Sequence, residues 1–87
     1  MRLPATERLI LSLLSTNGAS YGLQLVEASG GRLKRGGIYV TLGKMEEKGL
    51  VSSTLQVDGQ RIDELEGLGH RALAALEIMG DTIAVRS

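Results

Sequence analysis

Three short helices, a two-stranded hairpin and a fourth helix are what the 87 residues predict: a mainly α fold with a small β element. Two observations carry the prediction. Apolar residues recur at helical spacing in four separate stretches, and the turn-forming pair Asp58-Gly59 divides the one segment of extended character. A third is glycine, 12 of 87 residues, about twice the ~7% average, which punctuates the chain where helices should end.

In the first helix, over roughly 5–16, Leu9, Ile10, Leu13 and Leu14 recur at helical spacing and Leu11 widens the stripe. Pro4 suits its first turn, where a missing N–H is harmless, with Thr6 as an alternative N-cap. Asn17-Gly18 stops it. Ser20 is positioned to cap a second, shorter helix carrying Leu25, Val26 and Ser29, with Tyr21 and Gly22 a turn before and Gly30-Gly31 at its end. Two helices so closely spaced follow the grammar of a helix-turn-helix. The third helix runs from about Lys34 to Lys48 and is closed by Gly49. Ile38, Leu42 and Met45 share one face, and the opposite face carries Gly36, Val40, Gly43 and Glu47, flanked by Lys44. An extended run from Leu50-Val51 through Leu55 and Val57 meets the two-residue hairpin signal Asp58-Gly59. Arg61 to Leu65 forms the return strand, with Ile62 its apolar member. From Glu66 the pattern is helical again, with Leu68, Ala72, Leu73, Leu76 and Met79 as a stripe, and 82–87 reads as a frayed tail.

Composition narrows the function. The absence of cysteine excludes thiolate zinc sites and thiol catalysis, and the single histidine, His70, leaves little material for a metal cluster or a triad. His70 reads as surface or interface packing. Neither Gly-Gly pair precedes Lys-Ser/Thr, so there is no phosphate-binding loop of the nucleotide-hydrolase kind. No paired carboxylates fall on rigid elements, and the expectation is a non-enzyme without cofactor. No apolar run approaches the ~20 residues of a membrane span and no export leader is visible, so the chain is expected to be cytoplasmic. A chain this short makes a marginal monomer, which favours a homo-oligomer.

Three helices followed by a hairpin is the winged-helix arrangement. Within it, Gly31-Arg-Leu-Lys-Arg-Gly-Gly-Ile-Tyr-Val-Thr-Leu-Gly-Lys-Met-Glu-Glu-Lys-Gly-Leu-Val51 resembles the PadR family of bacterial transcriptional repressors. That family reads Gly-Arg-Leu-Ser-Pro-Gly-Thr-Leu-Tyr, an amphipathic stretch, then Leu-Glu-x-Lys-Gly-Leu-Val. Gly36, Tyr39, Leu42, Glu46, Lys48, Gly49, Leu50 and Val51 fall on that pattern. Gly18, Gly22 and Leu25 resemble its second helix and Glu7 to Leu14 its first. The likeness covers about residues 5–76. It departs at Lys34-Arg35, where the family has Ser-Pro. It departs again in the return strand, where Asp63 replaces a tyrosine and Glu66 a capping threonine. An acidic strand there is at odds with phosphate contacts beyond Arg61.

The resemblance implies one winged-helix DNA-binding domain over 1–87, the winged helix at 5–65 and a dimerisation helix at 66–80. The third helix would enter a major groove. Gly36, Gly37 and Gly43 would let it approach closely, Val40 and Thr41 would meet thymine methyls, and Lys34, Arg35 and Lys44 would neutralise phosphates. The bland alternative is a solvated helix of weak propensity. Tyr39 lies beside the apolar stripe; its hydroxyl meets either a phosphate, as the resemblance suggests, or water. Tyr21 reads as packing. Arg61 reads as a wing contact or as a partner of Asp63 or Glu64, and Arg32 is left open in the same way. Glu46-Glu47-Lys48 reads as a solvated helix end, with Lys48 complementing the helix dipole. Leu68, Ala72, Leu73, Leu76 and Met79 would form a dimer seam with the first helix; the alternative is a cover for the protomer's own core.

The resulting expectation is a homodimeric repressor on a palindromic operator whose half-sites lie one turn, about 34–36 Å, apart. The alternative is a winged helix turned protein-interaction module. Family members often answer to small effectors at the dimer centre, but the absence of Phe and Trp gives no support for an aromatic stacking pocket, and the effector stays unknown. The zero net charge hides polarity: residues 32–48 hold five cations against two anions, and 49–87 three against six.

Overall fold

The computed structural model describes residues 3–75, so Leu76, Met79 and the 82–87 tail lie outside the described residues. The elements are α1 (Ala5–Asn17), β1 (Ser20–Tyr21), α2 (Gly22–Ala28), α3 (Arg35–Glu47), β2 (Val51–Leu55) and β3 (Arg61–Leu65). Residues 67–75 are helical and are called α4. This is the winged-helix order, with one addition. The sheet has three antiparallel strands in the order β1-β3-β2, not two. Ser20 and Tyr21 pair with Asp63 and Ile62, which draws the chain between α1 and α2 onto the outer edge of the hairpin.

That extra strand corrects the start of α2. Ser20 lies in β1 and donates its hydroxyl to the Gly18 carbonyl at 2.8 Å, so it does not cap the helix. Tyr21 takes the N-cap position, and its N–H donates to Gln24 Oε1 at 2.8 Å. At the start of α1, Pro4 is the residue before the helix and Thr6 lies inside the first turn. The hairpin loop also differs from expectation. Gln56 N–H donates to the Gln60 carbonyl and Gly59 N–H to the Gln56 carbonyl, so three residues, Val57 to Gly59, make the turn. Gly59 supplies the positive φ (86°) that such a loop requires. Val57 is therefore fully exposed at the tip and is not a strand residue.

The core is aliphatic. Ile10, Leu11 and Leu14 of α1 meet Leu25 of α2, Ile38, Leu42 and Met45 of α3, and Leu50 and Val51. Leu9, Leu13, Val26 and Leu65 pack partly buried against it. The end of α3 sets the position of the wing. Leu50 N–H donates to the Met45 carbonyl and Gly49 N–H to that of Glu46, both at 2.9 Å, with Gly49 at φ 76°. This double closure reverses the chain and inserts Leu50 into the core. Ser29 fixes the α2–α3 junction: its hydroxyl donates to the Val26 carbonyl at 2.6 Å and accepts from Leu33 N–H at 2.9 Å.

Two acidic residues are buried against the pattern. Glu7 of α1 is 4% exposed, and Lys48 Nζ donates to both its carboxylate oxygens at 2.9 Å. Lys48 is thus a tertiary link from the end of α3 to α1, which the reading of a solvated helix end had not foreseen. Asp63 is also 4% exposed. The register Val51↔Leu65, Ser53↔Asp63, Leu55↔Arg61 carries the hairpin face from the core outward under α3. Leu65 therefore sets which residues of β3 point inward, and Ile62 is left on the other face, opposite Tyr21 and Thr54. On α4, Ala72 and Leu73 are buried within the same chain, whereas Leu68 is 39% exposed.

Candidate nucleic-acid interface

The apolar face of α3 determines what its other face presents. Ile38, Leu42 and Met45 anchor the helix inward, so Gly36, Gly37, Val40 and Lys44 lie exposed and Thr41 and Gly43 half-exposed. No heavy atom lies within 4 Å of where a Cβ would sit on Gly36, Gly37 or Gly43. Packing within the chain therefore does not require these glycines, although each costs about 1 kcal/mol relative to Ala in a helix. They leave the outer face of α3 bare of side chains at these positions. Val40, 62% exposed, is the apolar residue at the centre of that face. Thr41 donates its hydroxyl proton to the Gly37 carbonyl at 3.0 Å, inside its own helix.

Cations surround this face. Lys34 is the N-cap of α3, Arg35 its first residue, and Lys44 lies in its last turn. Among the described residues, Lys48–Glu7 is the one ion pair. Arg32, Lys34, Arg35, Lys44 and Arg61 thus carry their charge to solvent, and the alternative pairing of Arg61 with Asp63 or Glu64 does not occur.

Tyr39 is 57% exposed and leans over the start of α2. A Cβ on Gly22 would lie 2.8 Å from Tyr39 Cε1, so Gly22 is the residue that lets this ring seat there. Tyr39 and Arg61 then separate two hollows between α3 and the wing. One is lined by Tyr21, Leu23, Tyr39, Gly59, Gln60 and Arg61, with no carboxylate. Tyr21, expected only to pack, thus shares a groove with Tyr39 and Arg61. The other is lined by Tyr39, Leu42, Gly43, Glu46, Ser53, Arg61 and Asp63. Burial pushes the Asp63 carboxyl up to about 6, and the nearby Glu46 carboxylate adds to this, while Arg61 opposes it.

The structure brings together Lys34, Arg35, Gly36, Gly37, Tyr39, Val40, Thr41 and Lys44 on or beside one helix face, with Arg61 on the adjoining wing. Sequence reasoning missed the partner of Lys48, the burial of Asp63 and the seat of Tyr39. The position of Glu7, one turn before Ile10 and Leu11 on the apolar side of α1, was the signal for its burial. Among the described residues no group of acidic, histidine or cysteine side chains is arranged to hold a metal ion, and no helix is long and apolar enough to cross a membrane. His70 is exposed.

No protein-family model matches the chain, and no curated protein matches it. Solved structures do. A PadR family transcription regulator from hypervirulent Clostridium difficile R20291 is 25% identical, with a TM-score of 0.79 over 93% of this chain and 92% of its own. RosR of H. salinarum is 26% identical, with a TM-score of 0.74 over 94% of this chain and 76% of its own. A probable transcriptional regulator from Pseudomonas aeruginosa is 20% identical, with a TM-score of 0.82 over 97% of this chain and 63% of its own, a likeness of fold. The helix order and the wing held to the α1–α2 junction give this chain a winged-helix fold, similar over nearly its whole length to the PadR family transcription regulator of C. difficile.

Proposed function

We propose that the chain is a sequence-specific, double-stranded-DNA-binding transcriptional regulator, a cytoplasmic, nucleoid-associated repressor acting as a homodimer on a palindromic operator. The observation that carries this reading is the outer face of α3. It is bare of side chains at Gly36, Gly37 and Gly43, apolar at Val40, and bordered by Lys34, Arg35 and Lys44 with no carboxylate partner among the described residues. A helix of that shape fits a major groove, whose base edges carry the sequence, while the cations meet phosphates. Arg61 and Tyr39 sit where the wing would meet the backbone. The likeness to a PadR family transcription regulator supports the same use.

The domain is one winged helix, 5–65, followed by a dimerisation helix, 66–80. Leu68 of α4 and Leu9 and Leu13 of α1 retain exposed apolar surface, which supports a seam between copies. Ala72 and Leu73 face the protomer's own core, so in this reading they brace the seam from inside.

Fluorescence anisotropy of a duplex from upstream of the protein's own reading frame, at low and moderate salt, tests the proposal. Expected is tight binding at low salt that weakens as salt rises, with a log–log slope on the order of a few phosphates per subunit, and its loss in K34A/R35A. Binding absent at low salt would overturn it. A second reading, a wing used for protein contact, is favoured by Leu55 and Val57, 66% and 108% exposed at the hairpin tip. It requires that K34A/R35A leave the protein's partner binding intact.

A further inference from the structure

Where the family pattern has a tyrosine in the return strand, this chain has Asp63, and the structure gives that carboxyl an unusual position. It lies on the middle strand of the sheet, 4% exposed, between Ser20 of β1 and Ser53 of β2. It faces the hollow closed by Tyr39, Leu42, Gly43 and Glu46 of α3 and by Arg61. Ser20 spends its hydroxyl on Gly18, and among the described residues no ion pair holds the carboxyl. Two residues of the proposed DNA contact, Tyr39 and Arg61, form the wall between this hollow and the surface a phosphate backbone would cover.

We infer that DNA binding by this protein is coupled to proton uptake at Asp63, the notch between α3 and the wing serving as a proton site that fills when a phosphate backbone closes over it. The inference rests on the DNA-binding reading above. Its physics is additive. An ionised carboxylate buried beside Glu46 already disfavours its own charge. Phosphates brought to Tyr39 and Arg61 add negative potential at short range and engage Arg61, the one cation that favours the ionised form. The bound complex therefore holds the proton more tightly than the free protein, and by linkage a lower pH favours DNA.

The other charged groups on elements packed against β3 act differently. Glu7 of α1 is taken by Lys48, while Arg8 of α1, Glu27 of α2 and Lys44 of α3 are exposed and do not line the hollow. Among the described residues, Glu46 and Arg61 are the charged groups that act on the carboxyl, beside its burial.

The test is anisotropy of the same upstream duplex at fixed ionic strength from about pH 7.5 down to about pH 5.5, on wild type, D63N, E46Q and H70Q. The wild type should gain on the order of tenfold in affinity per bound subunit across this range, the linkage expected of one proton. D63N should bind more tightly than wild type near pH 7.5 and lose most of the slope. E46Q, altered at an exposed side chain that leaves the fold intact, should move the rise to lower pH. H70Q should keep the wild-type slope. Salt-sensitive binding with no pH slope, a slope retained in D63N, or a slope removed by H70Q instead, would each overturn the inference while leaving the DNA-binding reading in place. Absence of salt-sensitive binding at every pH would overturn both.

Discussion

A carboxylate buried beside another carboxylate destabilises the fold that contains it, and Asp63 should show this without any DNA. Its folded-state pKa, about 6, lies above the ordinary value of 3.8. Folding therefore binds a proton at this site. Its contribution to stability is fully present below the unfolded value and is lost as pH rises through about 6. Thermal unfolding should accordingly find D63N more stable than wild type near neutral pH, by an amount on the order of 1–3 kcal/mol, with the gap closing toward about pH 4. Gly22 provides a second test. Its Ala variant presses a methyl on the Tyr39 ring, which is exposed enough to swing aside. Stability should change by less than about 1 kcal/mol, while DNA affinity falls because Tyr39 has left its seat. The sequence told which residue types were present at these sites but not their surroundings. In Arg61-Ile-Asp-Glu-Leu65 the sequence marks Ile62 as the apolar member but not which residues face inward. Only the pairing of Leu65 with Val51 in the core reveals that Asp63 turns in.

Helices were the most legible elements, because four stretches of aliphatic residues at 3.6-residue spacing admit one solution and glycines mark their ends. The third helix, α3, was placed to within a residue at each end, and its inward face was correct at Ile38, Leu42 and Met45. Partners distant in the chain were not legible: Glu7 and Lys48 are 41 positions apart, and no local pattern joins them. K48M should leave Glu7 buried without its partner and cost about 1–3 kcal/mol in chemical denaturation. That is below the usual cost for a fully buried pair, because the Lys48 side chain is 45% exposed. The α3 glycines separate folding from function. Replacing Gly36 or Gly43 by Ala meets open space, so it should raise stability by up to about 1 kcal/mol. The same methyl on the groove-facing surface should weaken DNA binding. A variant that gains both stability and affinity would contradict the role given to this face.

At the scale of the molecule, one variant pair separates the two uses proposed for α4, a cover for the protomer's core and a seam between copies. L73D places a charge in the protomer's core and should unfold the chain, whereas L68D, at a side chain already 39% exposed, should leave circular dichroism unchanged and shift sedimentation from dimer to monomer. The two-residue strand β1 has a wider consequence. By hydrogen-bonding the α1–α2 junction to the middle strand of the wing, it joins the two parts that would grip a duplex into one rigid frame. Such a frame has already spent its conformational entropy before it meets a partner. If it binds DNA as proposed, its selectivity would come from rejecting duplexes whose groove spacing does not match, so that the geometry of the DNA, as well as its base sequence, would be sampled at first encounter.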